Sequence, residues 1–170
     1  MPEDRYAVRP MRGEDAAAAG EVHVRVWRET YAADLPAVFL AALDPAVSAE
    51  RIRMRVEVDD PETRVLVAVD EEGEVVGMAT AGVTRDEDAP TAWELYSINT
   101  IGEVHGSGLA DRLLAAAVGS RPVSLWVLET NARAQAFYRR QGFVADGSTK
   151  VHEASGRPEV RMVRGPRGDT

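Results

Sequence analysis

Asn131 and Tyr138 stand seven positions apart, about two helical turns, so an amide and a phenol on one helix can face one cleft. The phenol can give a proton, or only a hydrogen bond, to negative charge developing nearby, and packing on an amphipathic helix would use it equally well. Two roles fit Asn131: the cap of the helix that follows it, and a contact to a ligand crossing the strand ends. Upstream, His105, Gly106, Ser107, Gly108 and Ala110 open another helix. The first turn of a helix carries unpaired N–H groups and the positive end of its dipole, which together hold a phosphate. Small residues let that phosphate reach the backbone, and Ser107 offers a hydroxyl. A purely structural tight turn fits the same residues, because neither GxGxxG nor a P-loop lysine is present. His105 suits a phosphate contact or closure of the loop.

A carboxylate completes the set. On the segment Trp93–Ile101 strict alternation would put Glu94, Tyr96, Ile98 and Thr100 on one face and Trp93, Leu95 and Ser97 on the other. Glu94 then either takes a proton from an amine through water or attracts a cation from a wet strand end. Trp27 and Tyr31, four apart, share a helix face and fit either a ligand wall or the core. Glu129 fits a structural partner for a backbone donor.

The elements that must position these residues follow from periodicity. A strand is expected at 6–8, then helices at 14–31, 38–43 and 47–58, the last stopped by Asp59-Asp60-Pro61. Strands at 64–69 and 75–83 flank Gly73 as an antiparallel hairpin. A strand at 92–101 precedes the glycine turn and a helix with an apolar stripe at Leu109, Leu113, Leu114 and Ala117. The strand at 123–128 and the helix at 132–140 follow, and a right-handed crossover makes the strands at 92–101 and 123–128 parallel. A strand pair is expected over 143–163, with its second member, Glu159–Val163, at a sheet edge open to dimerisation, and a frayed tail over 164–170. The whole is one mixed α/β sheet covered by helices, a single domain over 1–170 with its core over about 5–164.

Composition narrows the function classes. With 170 residues, 45% of them hydrophobic, the chain can bury one sizeable core. Its 28 acidic residues against 20 Lys and Arg give a net charge of −8. That argues against a nucleic-acid partner, which needs clustered positive charge, and suits an amine-bearing substrate as well as plain solubility. There is no cysteine, which excludes disulfide frameworks and thiolate chemistry. His23, His105 and His152 are too scattered for a metal site. No segment resembles a signal peptide or a membrane span, so a cytoplasmic protein without a membrane partner is expected.

The segment NARAQAFYRRQGF, preceded by LWVLE and by GSGLADRLL, resembles the GCN5-related N-acetyltransferase (GNAT) superfamily, and RVWRETY at 25–31 is similar to its bacterial small-molecule acetyltransferase members. The resemblance runs from about Tyr6 to Val163. It implies a central, mostly antiparallel twisted sheet with a splayed parallel strand pair and helices on both faces. It implies acetyl-CoA, or another short acyl-CoA, as cofactor. Ile98, Thr100 and Ile101 would contact pantetheine and pyrophosphate together with His105, Gly106, Ser107, Gly108 and Ala110. Asn131 matches the family's asparagine and Tyr138 the tyrosine near the cofactor sulfur. His105 stands where glutamine or arginine is usual, and Gly102 where proline is common.

The implied reaction is attack of a primary amine on the thioester in a ternary complex. Strands parting near Thr100 would expose an amide to the carbonyl oxygen, with Glu94 as base, Tyr138 as proton donor, and Trp27, Tyr31 and Glu94 facing a small-molecule amine such as a metabolite or an amine-bearing antibiotic. Peptide or protein N-termini are a second acceptor class, and a non-catalytic acyl-CoA-binding module a third reading. A homodimer is compatible with each.

Overall fold

The computed structural model describes residues 5–166; the expected fraying over 167–170 falls outside them. One seven-stranded sheet has the order β1-β2-β3-β4-β5-β7-β6, from β1 (Ala7–Pro10), β2 (Thr63–Val69), β3 (Val75–Val83), β4 (Trp93–Thr100), β5 (Val123–Leu128), β6 (Val144–Val151) and β7 (Pro158–Arg164). Five helices accompany it: α1 (Ala16–Thr30), α2 (Ala37–Ala42), α3 (Pro45–Val58), α4 (Leu109–Val118) and α5 (Ala132–Arg140). Every neighbouring strand pair is antiparallel except β4–β5. The mixed sheet with one parallel pair is the architecture expected from the sequence.

Local signals set the helix ends. Asp44 accepts the amide of Ala46 at 2.8 Å ahead of Pro45, and Asp59, in the left-handed region at φ 48°, ends α3. Two apolar clusters hold the layers. The larger packs Leu109, Leu113, Leu114 and Ala117 of α4, with Tyr138 and Phe143, onto Leu66, Ala79, Leu95 and Leu125. The smaller joins Ala19 of α1, with Ile52 and Val56 of α3, to Val67 and Met78 on the opposite face.

α1 and α3 cross closely at Gly20. A Cβ there would stand 2.5 Å from the Pro45 carbonyl oxygen and 2.9 Å from Ala49 Cβ. Gly20→Ala would gain about 1 kcal/mol of helix propensity, but overpacking against rigid backbone costs about 1–3 kcal/mol. We expect a lower urea midpoint at unchanged slope; a raised midpoint would mean the two helices part freely.

Two expectations are corrected. β7 is not an edge strand but lies between β5 and β6, and Arg164, placed in a frayed tail, belongs to it. The reason is visible in composition. β7 buries Arg161, Met162 and Arg164, whereas the polar, bulged β6 (VADGSTKV) suits an edge. The second concerns β4. The β3–β4 register shifts so that Thr80 faces Ser97 but Ala81 faces Leu95, leaving Tyr96 as a bulge. Alternation therefore breaks at Tyr96. Ile98 packs with the α4 cluster, while Ser97 lines a hollow with His23 and Ser48 of α1 and α3.

Candidate active site

The parallel pairing of β4 with β5 covers only Trp93–Leu95 against Val123–Leu125. The strands part from the Tyr96 bulge onward, four residues before the expected point at Thr100. Beyond it Ile101 donates its amide to Val76 on β3 at 3.0 Å. Because such bonds alternate along a strand, the amides and carbonyls of Ile98 and Thr100 turn the other way, into the gap. His105 confirms the direction: its Nε2 lies 3.1 Å from the Thr100 carbonyl oxygen, so that nitrogen carries the proton and the imidazole closes the loop.

Two cavities flank the gap. One, of about 500 Å³, is lined by Val26, Ile98, Thr100, His105, Gly106, Gly108, Arg133, Phe137 and Arg140. The other, of about 830 Å³, is lined by Trp27, Arg85, Glu94, Tyr96, Trp126, Lys150, His152 and Glu159. Tyr31, Ile98, Asn99, Asn131, Ala134 and Tyr138 line both, so the cavities meet where the strands part.

The glycine turn has an anion cradle's form. Gly106 and Gly108 hold φ of +78° and +83°, with nothing within 4 Å of a built Cβ. Glycine alone adopts this backbone without strain, and the open space lies along the first cavity. Gly108 caps α4 in the left-handed region. The first intrahelical bond runs from the Arg112 amide to the Gly108 carbonyl, which leaves the amides of Ala110 and Asp111 without intrahelical acceptors. Ser107 turns inward: its hydroxyl donates to the Val104 carbonyl at 2.6 Å and accepts the Leu109 amide at 3.3 Å. Neither Ser107 nor Ile101 nor Ala110 lines the cavity with its side chain. Arg133 and Arg140 of α5 bring positive charge that the sequence reading did not assign. Asp111, also in the cavity wall, is held by Gln141.

Asn131 does two jobs. Its Oδ1 caps α5 by accepting the Ala134 amide at 3.1 Å, and its Nδ2 donates to the Tyr31 hydroxyl at 2.9 Å, tying the end of α1 to the start of α5. Trp27 lies 4.7 Å from Tyr31 and stacks on His152, 5.5 Å away and inclined by 30°. The helix-face pair thus lines a cleft, and the turn after β6 closes over it. Tyr138 is buried, its ring edge-on to Phe137 and Phe143. Burial, and then Tyr31, push its pKa far above that of an ordinary phenol. Its hydroxyl has no hydrogen-bond partner among the described residues, so it keeps its proton with nothing in place to share it.

Glu94 is 1% exposed and bound to Arg85 through three contacts: the backbone amide at 3.0 Å, and the guanidinium Nε at 3.2 Å and Nη2 at 2.5 Å. A carboxylate so compensated is a charged strut for the 83–94 loop. The sequence placed Glu94 in the cleft wall without revealing this partner, because Arg85 lies in a loop with no periodicity.

A coenzyme A moiety fits these residues: an open glycine cradle, free first-turn amides and two arginines for phosphates, and Val26, Ile98 and Phe137 for an apolar arm. The model of the Acetyltransferase (GNAT) family matches residues 24–143. The chain is 32% identical over 130 residues, 73% of its length and 72% of the other's, to the uncharacterized N-acetyltransferase YuaI of Bacillus subtilis (strain 168). Its fold is similar to that of the PaiA N-acetyltransferase of Thermoplasma acidophilum in complex with coenzyme A (TM-score 0.76, 18% identity, 94% of this chain and 98% of that one). It is also similar to the ribosomal-protein-S5-alanine acetyltransferase of Vibrio fischeri (TM-score 0.69, 16% identity, 96% and 94%). With a parting β4–β5 pair, a glycine cradle and a buried phenol between two cavities, the chain belongs to the GNAT family of acetyl-CoA-dependent acetyltransferases.

Proposed function

We propose that the protein acetylates the primary amine of a small molecule, with acetyl-CoA in the smaller cavity and the amine in the larger. The observation that carries this reading is the meeting of the cavities at Ile98, Asn131 and Tyr138. Bound acetyl-CoA supplies the activated acetyl thioester. The Ile98 amide, turned into the gap and shared by both cavities, is the donor for a developing oxyanion. Tyr138 Oη holds its proton at the junction for a leaving thiolate. In the cradle the backbone amides of Gly106, Gly108 and Ala110 face the phosphates, those of His105 and Ser107 being bonded to the Gly102 and Val104 carbonyls, with Arg133 and Arg140 neutralising phosphate charge, while Thr100 extends the wall. Trp27 and Tyr31, with Trp126 opposite, form an aromatic surface for the acceptor.

A small acceptor is favoured over a peptide because His152 stacks across the cleft onto Trp27, which shortens any groove for an extended chain. The test is release of free thiol from acetyl-CoA against a panel of aryl-alkyl amines, polyamines and short peptides. Release with the small amines and not with peptides is expected. Preferential release with peptides would move the acceptor class, and none with any amine despite calorimetric binding would leave a coenzyme-A-binding protein.

A further inference from the structure

We infer that Glu159 on β7 receives the proton of the acceptor amine. The inference rests on the acetyltransferase reading and adds a residue to it.

Glu159 lines the larger cavity beside its junction with the smaller one. Its Cα pairs with Leu128, the last residue of β5, three positions before Asn131. Paired residues share a sheet face, so Glu159 lies in one row with Leu128 and with Lys150 of β6, its other partner. Lys150 is the natural counter-ion, yet its ammonium sits 4.3 Å from the centre of the Trp126 ring. The Glu159 carboxylate makes no hydrogen bond or ion pair among the described residues. It is half-buried. A carboxylate held there without a partner gains from whatever cation enters the cleft.

The contrast with Glu94 decides between the two acids. Glu94 is fully enclosed and neutralised by Arg85. Glu159 is uncommitted, and its field reaches Tyr31, the hydroxyl bonded to Asn131. The groups facing Glu159 are Lys150 of β6, His152 of the turn after it, Arg85 of the β3–β4 loop and Glu94 of β4. Burial raises the Glu159 carboxyl above the usual range. His152, Lys150 and Arg85 pull it down, and Glu94 pushes it up. A raised carboxyl is the better base for an ammonium.

The step balances simply. R–NH3+ and the Glu159 carboxylate become R–NH2 and the carboxylic acid, freeing the nitrogen lone pair for attack; the proton then leaves to solvent along the open cleft. A primary alkyl amine with a pKa near lysine's is free to the extent of only on the order of one molecule in 10³ at neutral pH, so a resident base has a large effect.

The experiment compares the natural chain with Glu159→Gln, Glu159→Asp and Glu94→Gln, using acetyl-CoA and 2-phenylethylamine across a pH series. A carbon-13 titration of the Glu159 carboxyl, with coenzyme A bound and with the amine added, runs beside it. Glu159→Gln is expected to lower kcat/KM about 10²-fold near neutral pH. The deficit should shrink below about tenfold as pH approaches the amine's own pKa. Coenzyme A affinity should stay unchanged, Glu159→Asp should recover part of the loss, and the carboxyl resonance should shift when amine is added. A Gln variant within about threefold of the natural chain at every pH, or a deficit independent of pH, would overturn the inference. If the natural chain releases no thiol with this or any other amine of the panel, the acetyltransferase reading falls. The titration still decides Glu159, since a carboxyl that ignores added amine is no amine site.

Discussion

Tyr138→Phe is expected to lower kcat by about 10²–10³-fold while leaving both coenzyme A affinity and stability close to those of the natural chain. The hydroxyl is the only group removed. The ring keeps its edge contacts at 5.4 Å to Phe137 and 5.6 Å to Phe143, so packing is preserved. Since the hydroxyl opens onto the two cavities and has no protein partner among the described residues, its loss costs no hydrogen bond within the fold. The pH dependence follows from the raised phenol. Burial and Tyr31 keep it protonated well beyond an ordinary phenol's range, so the natural chain should show no alkaline loss of activity from Tyr138 ionisation. A fall in kcat with unchanged KM and melting temperature is the signature to measure. An equal fall in affinity and stability would make Tyr138 a core residue and nothing more.

Gly108→Val should raise the dissociation constant for coenzyme A about 10–100-fold. A hydrogen bond to a charged group is worth about 1.5–3 kcal/mol, and each 1.4 kcal/mol is a factor of ten. The branched side chain would occupy the open side of the cradle and resist the +83° φ that lets Gly108 cap α4. Left-handed backbone costs an L-residue about 1–2 kcal/mol, so a control with the same strain is needed. Gly73 has φ +85° with equally open surroundings, in the β2–β3 turn away from the cavity. Gly73→Val should lose similar stability in a denaturant titration and bind coenzyme A as before. Equal weakening in both variants would attribute the effect to backbone strain alone.

How much of this was legible in sequence depended on how local each cause is. Asn131 and Tyr138 were readable because a helix converts spacing of seven into one face. Gly106 and Gly108 were readable because a left-handed backbone and an unhindered amide both call for glycine. Helix and strand positions followed from periodicity in the same way, and the order strand–helix–strand compelled the parallel pair.

The misses share the opposite cause. At β4 a single bulge at Tyr96 reversed the facing of every later residue, and a bulge is set by how β3 and β4 meet. Glu94 met its expected cleft but also Arg85, from a loop whose path only packing determines. Arg133 and Arg140 read as ordinary helix-surface charges until the β4–β5 gap lay beside them. β7 was assigned to an edge because local pattern reports that a strand exists, not which strands it joins. By itself, then, the sequence determined the elements, the family, the left-handed glycine turn and the helix carrying Tyr138, all properties of short segments. The tertiary structure alone decided where the strands part, which acid is neutralised and which is left unpaired, because an ion pair or a strand neighbour is a relation between residues distant in the chain.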